Sequence, residues 1–116
     1  MNYLEMATRL AKADVHKYSA HRKNFLFSGV AVRQDGSITC GNNILTELPN
    51  PNAHAEKRIL SKAGYGATLY LVRIKRDGTW AMAKPCRHCE TFIKNMKVRK
   101  VVYTVGPNRY EVWIPF

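Results

Sequence analysis

The stretch "ATLYLVRIKRDGTWAMAKPCRHCETFIKNMKVRKVVYTV", residues 67–105, decides the fold. Residues 67–75 are rich in β-branched and aromatic side chains and predict a strand. Pro85 suits the first position of a helix, where its missing N–H is not needed, and Phe92, Ile93 and Met96 then share an apolar face. "KVVYTV", 100–105, is apolar enough to be a buried strand. Strand, helix, strand in succession implies a right-handed parallel crossover, so helices should pack on a mixed sheet in an α/β fold. Between the first strand and the helix, "RDGTWAMA" (76–83) predicts a turn with a short returning segment.

Upstream, residues 3–18 place Leu4, Ala7, Leu10, Ala11 and Val15 at helical spacing and leave Arg9, Lys12 and Lys17 for solvent. "NFLFSGVAVRQDGSITCG" reads as a hairpin around a Gln34-Asp35-Gly36-Ser37 turn, whose glycine supplies an unusual backbone angle. Cys40, on its second strand, reads as a small core residue. "GNNILTELPNPN", 41–52, is rich in Asn and Pro and predicts a loop; "AHAEKRILSKAG" then predicts a helix ended by Gly64. Downstream, "YEVWIP" at 110–115 adds a last edge strand closed off by Pro115. The sheet should hold about five strands.

A chain of 116 residues with 46% apolar content can build one core, so a single domain over 1–116 is expected. The longest apolar-rich run, "FLFSGVAV" (25–32), is far shorter than the roughly 20 residues that span a bilayer. The N-terminus carries Glu5 and lacks the apolar stretch of a signal peptide, so a cytoplasmic protein is expected. Three cysteines are too few for a disulfide framework; in a reducing compartment a close pair reads as metal-binding or redox-active. Nineteen Lys and Arg against 8 acidic residues give a net charge of +11, which favours nucleotides or nucleic acid as partners.

Cys86 and Cys89 stand three apart, on one face of the expected helix, and a helix N-terminus favours the thiolate that zinc needs. A lone Cys-x-x-Cys is equally a redox pair or a structural zinc clip. The "HAE" triplet about thirty residues upstream breaks the tie. His54 is placed to bind metal, and Glu56, in the same irregular first turn, to contact what the metal activates. Three protein ligands, His54, Cys86 and Cys89, would leave a tetrahedral zinc one position for water, the arrangement of a catalytic rather than a structural site. Glu56 would then move protons between that water and a leaving group. The pair of motifs matches the His-x-Glu and Pro-Cys-x-x-Cys signature of zinc deaminases.

Through "NAHAEKRIL" (52–60) and "KPCRHCETFIKNMKVRKVVYT" (84–104) the sequence resembles the zinc-dependent cytidine/deoxycytidylate deaminase superfamily, which includes nucleic-acid base deaminases. The resemblance implies a three-layer fold and a hydrolytic deaminase in which activated water displaces an exocyclic amine and ammonia leaves. It also implies that Asn43 holds the substrate sugar or base, with Asn42 as a fallback, and that the Ala55 backbone amide meets the base. Family members commonly oligomerise, so a homo-oligomer is expected.

A free cytosine nucleoside or nucleotide is the favoured substrate, since the short chain leaves little room for added recognition elements. A base within RNA or single-stranded DNA is the alternative, with "HKYSAHRK" (16–23) and "KNMKVRK" (94–100) following the backbone. A non-catalytic zinc module that binds nucleic acid is a third reading, against which Glu56 argues. Two departures from typical relatives stand out: the turn-containing extension "RIKRDGTWAMA" (73–83), expected to protrude, and a C-terminus that lacks the helix covering substrate in some members.

Overall fold

The computed structural model describes residues 2–17, 25–42, 55–75, 77–85 and 87–115. In chain order they form helix α1 (Tyr3–Lys17), strands β1 (Phe25–Val32) and β2 (Ile38–Asn42), helix α2 (Ala55–Ala63), strands β3 (Thr68–Lys75) and β4 (Trp80–Ala81), helix α3 (Arg87–Asn95), and strands β5 (Lys100–Gly106) and β6 (Arg109–Trp113). The stretch expected as a loop lies outside the described residues from position 43 onward.

The strands form a mixed sheet in the order β2-β1-β3-β5-β6, with β4 paired to β3 as a sixth member. Thr68–Leu71 pair in parallel with Lys100–Tyr103, as the strand-helix-strand reading requires, while the other pairings are antiparallel. The strand count exceeds the expected five because the returning segment after the second turn makes two ladder pairs, Arg73 with Ala81 and Ile74 with Trp80.

Period-two alternation divides the core into two faces. Phe27, Ala31, Leu69, Leu71, Val101 and Tyr103 pack with Ile59 and Leu60 of α2 and Ile93 of α3. Val30, Val72, Ile74 and Val102 point the other way and meet Leu4, Ala7 and Ala11 of α1. The result is three layers: α1, the sheet, then α2 with α3. Gly29 lets α2 approach closely, because a Cβ there would lie 2.6 Å from Ile59 Cδ1 and 3.0 Å from Leu71 Cδ2. Asn2 caps α1 by accepting from the Leu4 and Glu5 amides at 3.0 and 3.2 Å. Among the described residues no helix is long and apolar enough to cross a membrane.

Cys40 corrects the sequence reading: it is exposed, not buried. It pairs with Val30 on edge strand β2, whereas α1 lies mainly across β1 and β3. The extension at 73–83 makes the expected turn and returning segment. It folds back rather than protruding, with Trp80 packed against the α1 layer and its Nε1 donating to Thr8 Oγ1 at 2.9 Å.

The β1–β2 and β3–β4 turns share one chemistry. In each, an Asp Oδ1 accepts from the backbone amide and the hydroxyl two residues on: Asp35 from Ser37 at 2.9 and 2.6 Å, Asp77 from Thr79 at 2.9 and 2.7 Å. Gly36 and Gly78 follow at φ 88° and 87°, a region that L side chains avoid. The hydroxyl bond, then the amide bond, hold both carboxyls below their ordinary pKa. A depressed native pKa stabilises the fold fully above the ordinary carboxylate range, and that contribution fades as pH falls through the native value. NMR titration should therefore find Asp35 and Asp77 ionising at lower pH than in unfolded peptides. Ser37→Ala and Thr79→Ala should each return their own Asp toward the ordinary value; unchanged titration curves would count against the turn chemistry described here.

Candidate active site at the carboxyl end of the parallel strands

The topology fixes where each helix begins. α2 ends at Ala63 and connects through 64–67 to the start of β3; α3 ends at Asn95 and connects through 96–99 to the start of β5. Because β3 and β5 are parallel and start side by side, both helices run back along them, and their N-termini lie where those strands finish. β1 begins at that end, since Phe25 pairs with Lys75, and β2 finishes toward it, with Asn42 opposite Ser28. The last residues of β2, the first turn of α2 and the first turn of α3 therefore converge, in the place where α/β sheets generally bind ligands.

Ala55 and Glu56 open α2, so the helix starts inside the "HAE" triplet. Cys89 sits in the first turn of α3, fully buried and as a thiol rather than a disulfide. A buried sulfur at the positive end of a helix dipole is a donor suited to zinc. Asn43, His54 and Cys86 lie outside the described residues; in sequence they directly follow β2, precede α2 and precede α3. With two of the three expected ligands outside, the described residues alone bring no group of three His, Cys, Asp or Glu together.

The floor of this end is a fork that the sequence reading missed. β3 and β5 pair only as far as Leu71 and Tyr103, after which β4 enters between them. Thr104, fully buried, closes the fork: its Oγ1 donates to Ala81 O at 2.7 Å and accepts from Arg73 N at 3.3 Å, while its own carbonyl accepts from Ala83 N at 2.8 Å. Those bonds fix the chain two residues before Pro85 and so aim the start of α3. A hydroxyl inside the apolar run "KVVYTV" was the available signal. Nearby, the Arg73 guanidinium lies over the Phe27 ring, 5.4 Å from its centroid.

Comparison with known proteins agrees with this architecture. Residues 1–105 match the family model described as the cytidine and deoxycytidylate deaminase zinc-binding region. The fold is similar to crystal structures of cytidine deaminase from Burkholderia pseudomallei, with 21% identity and a TM-score of 0.62 over 99% of this chain and 94% of that one. It is also similar to cytidine deaminase from Mycobacterium leprae, with 16% identity and a TM-score of 0.59 over 97% and 94%. The Mycobacterium tuberculosis cytidine deaminase gives 15% identity and 0.55 over 92% and 90%. No curated protein matches the chain significantly in sequence.

Thr104→Val should lower stability by about 1–3 kcal/mol, because two buried backbone groups lose their partner while the side-chain volume is kept. Thr104→Ser should recover most of that loss. Urea denaturation of the two variants is the measurement, and a Val variant as stable as the parent would remove Thr104 from its role at the fork.

Proposed function

We propose, because this chain belongs to the cytidine and deoxycytidylate deaminase zinc-binding family, that it is a zinc-dependent hydrolase removing the exocyclic amine of cytosine in a free nucleoside or nucleotide. The proposal treats residues 1–116 as one deaminase domain. The observation that carries it is the convergence of the α2 and α3 N-termini, one opening at Ala55-Glu56 and the other holding buried Cys89.

In this reading His54, Cys86 and Cys89 would hold zinc, their imidazole and thiolate groups being donors of the kind it takes. Zinc, when bound, acidifies water and so supplies a nucleophile at neutral pH. Glu56 accepts a proton from the attacking water on its carboxylate and returns it to the exocyclic nitrogen, which leaves as ammonia while oxygen replaces it on the ring. Asn43 holds the sugar or base, and the Ala55 amide meets the base edge. The net charge of +11 favours a second reading, in which the base lies within RNA or single-stranded DNA.

A homo-oligomer fits the apolar side chains left open on edge strand β6 and just beyond it: Tyr110, Val112 and Ile114 are 58%, 51% and 63% exposed. Light scattering should return a multiple of the 13.3 kDa chain mass, and a monomer at micromolar concentration would discard this part of the proposal.

Glu56→Gln should keep metal content near that of the parent while turnover falls by about 100-fold or more. Cys89→Ser should instead lose zinc and thermal stability together, since metal binding and folding are linked. Metal analysis with ammonia release from cytidine, deoxycytidine, their phosphates, adenosine and guanine compounds, and single-stranded oligonucleotides separates the readings. Undiminished turnover by Glu56→Gln would refute the assigned mechanism; ammonia from oligonucleotides alone would replace the free-nucleotide substrate by the polynucleotide one.

A further inference from the structure

We propose that the end of the sheet opposite the candidate active site is a binding surface for the phosphate backbone of single-stranded nucleic acid. The surface is built where the three connections at that end are bonded to one another. Gly66 N donates to Met96 O at 3.1 Å, Arg99 N to Ala67 O at 2.9 Å, and Arg33 Nη2 to Lys62 O at 3.1 Å. The parallel register sets Lys100 beside Thr68. These backbone contacts bring Lys62, Lys97, Arg99 and Lys100, all exposed, to the same end of the sheet as Tyr65, which is 68% exposed.

Stretches 61–67 and 94–100 carry five cations and no acidic residue. The acid on the adjoining β1–β2 turn, Asp35, is bonded to Ser37. Helix dipoles account for part of the charge, since Lys62 and Lys94 occupy the last turns of α2 and α3. Arg99 and Lys100 lie beyond any helix, and Lys97 takes φ 56°, where glycine or asparagine is the less strained choice. Cations and a large exposed aromatic side chain at one end of the sheet form the combination that binds single strands, with charge tracking phosphates and a ring stacking on a base. An anionic membrane would match the charge but has no base to use Tyr65. The inference stands on this surface alone and does not depend on the deaminase reading.

Fluorescence anisotropy with a labelled single-stranded oligonucleotide of about 16 residues tests it on the full chain. The Lys62→Glu, Arg99→Glu, Lys100→Glu triple variant should raise Kd at least tenfold. The slope of log affinity against log salt should flatten by about 2, as three lost phosphate contacts predict. Tyr65→Ala should weaken binding by about tenfold with the slope unchanged. Arg9→Glu, Lys12→Glu, Lys75→Glu, with the same charge change elsewhere, should cost less than about threefold. Equal losses from the two triple variants would show diffuse attraction only and overturn the proposal. So would tighter binding to phosphatidylserine vesicles than to the oligonucleotide. Should the triple variant fail to fold by circular dichroism, Lys100→Gln and Tyr65→Ala carry the test, and parental affinity in both would overturn it.

Discussion

The parallel pairing of β3 with β5 is the constraint on which the rest of the structure depends. Two parallel neighbours cannot be joined by a tight turn, so the chain must return along the sheet, and α3 makes that return. α2 does the same for β3. Both helices consequently point their N-termini toward the end where β3 and β5 stop, and the positive ends of two helix dipoles face a common region. Ala55-Glu56 and Cys89, more than thirty residues apart in sequence, reach that region through this one topological fact.

The pairing is also short, with register contacts from Thr68 to Leu71 on β3. Beyond it the strands part, and an opening between two strands exposes backbone groups that need partners. β4 fills the opening and Thr104 satisfies the groups on either side, so a hydroxyl in the sheet does what a further ladder bond would otherwise do. The same excursion carries Trp80 to α1, where its indole bonds Thr8. Thr8 Oγ1 in turn donates to Leu4 O at 2.7 Å, within the helix. A single hairpin thus couples the layer on one face of the sheet to the segment that launches the candidate metal-binding helix on the other.

Much of this was legible in the sequence because its signals are local. The β-branched and aromatic run "ATLYLVRIK", the stop at Gly64 and the Asp-Gly turns each specify their own element, and the strand-helix-strand order fixes the crossover. The features that escaped are set by neighbours distant in the chain. Cys40 is exposed because of where α1 lies, not because of its own strand, and Thr104 matters only once Arg73 and Ala81 stand on either side of it. β4 is too short, at Trp80–Ala81, to announce itself by periodicity. The aromatic C-terminal strand divides: Trp113 packs against the α2–α3 layer with Lys94 Nζ 6.0 Å from its ring centroid, whereas Tyr110 is left open. At the candidate site, residue types and spacing supply the expected roles, and the structure adds the burial of Cys89 and the start of α2 at Ala55. Asn43, His54 and Cys86 lie outside the described residues.

The two ends of the sheet are electrostatically unlike. Helix N-termini favour anionic groups at the candidate site without any help from side chains, whereas helix C-termini present partial negative charge at the far end and would repel a polyanion. Attraction there has to come from Lys and Arg, and Lys97, Arg99 and Lys100 supply it from positions outside both helices. The eight residues of β3 separate the ends by roughly 25 Å, about three times the Debye length of ~8 Å at physiological ionic strength. Charges at the far end therefore leave the local potential around Cys89 largely unaltered. The proposed turnover of a small nucleoside and the proposed capture of a nucleic-acid strand are therefore separable by mutation, each resting on its own set of side chains at its own end of the sheet.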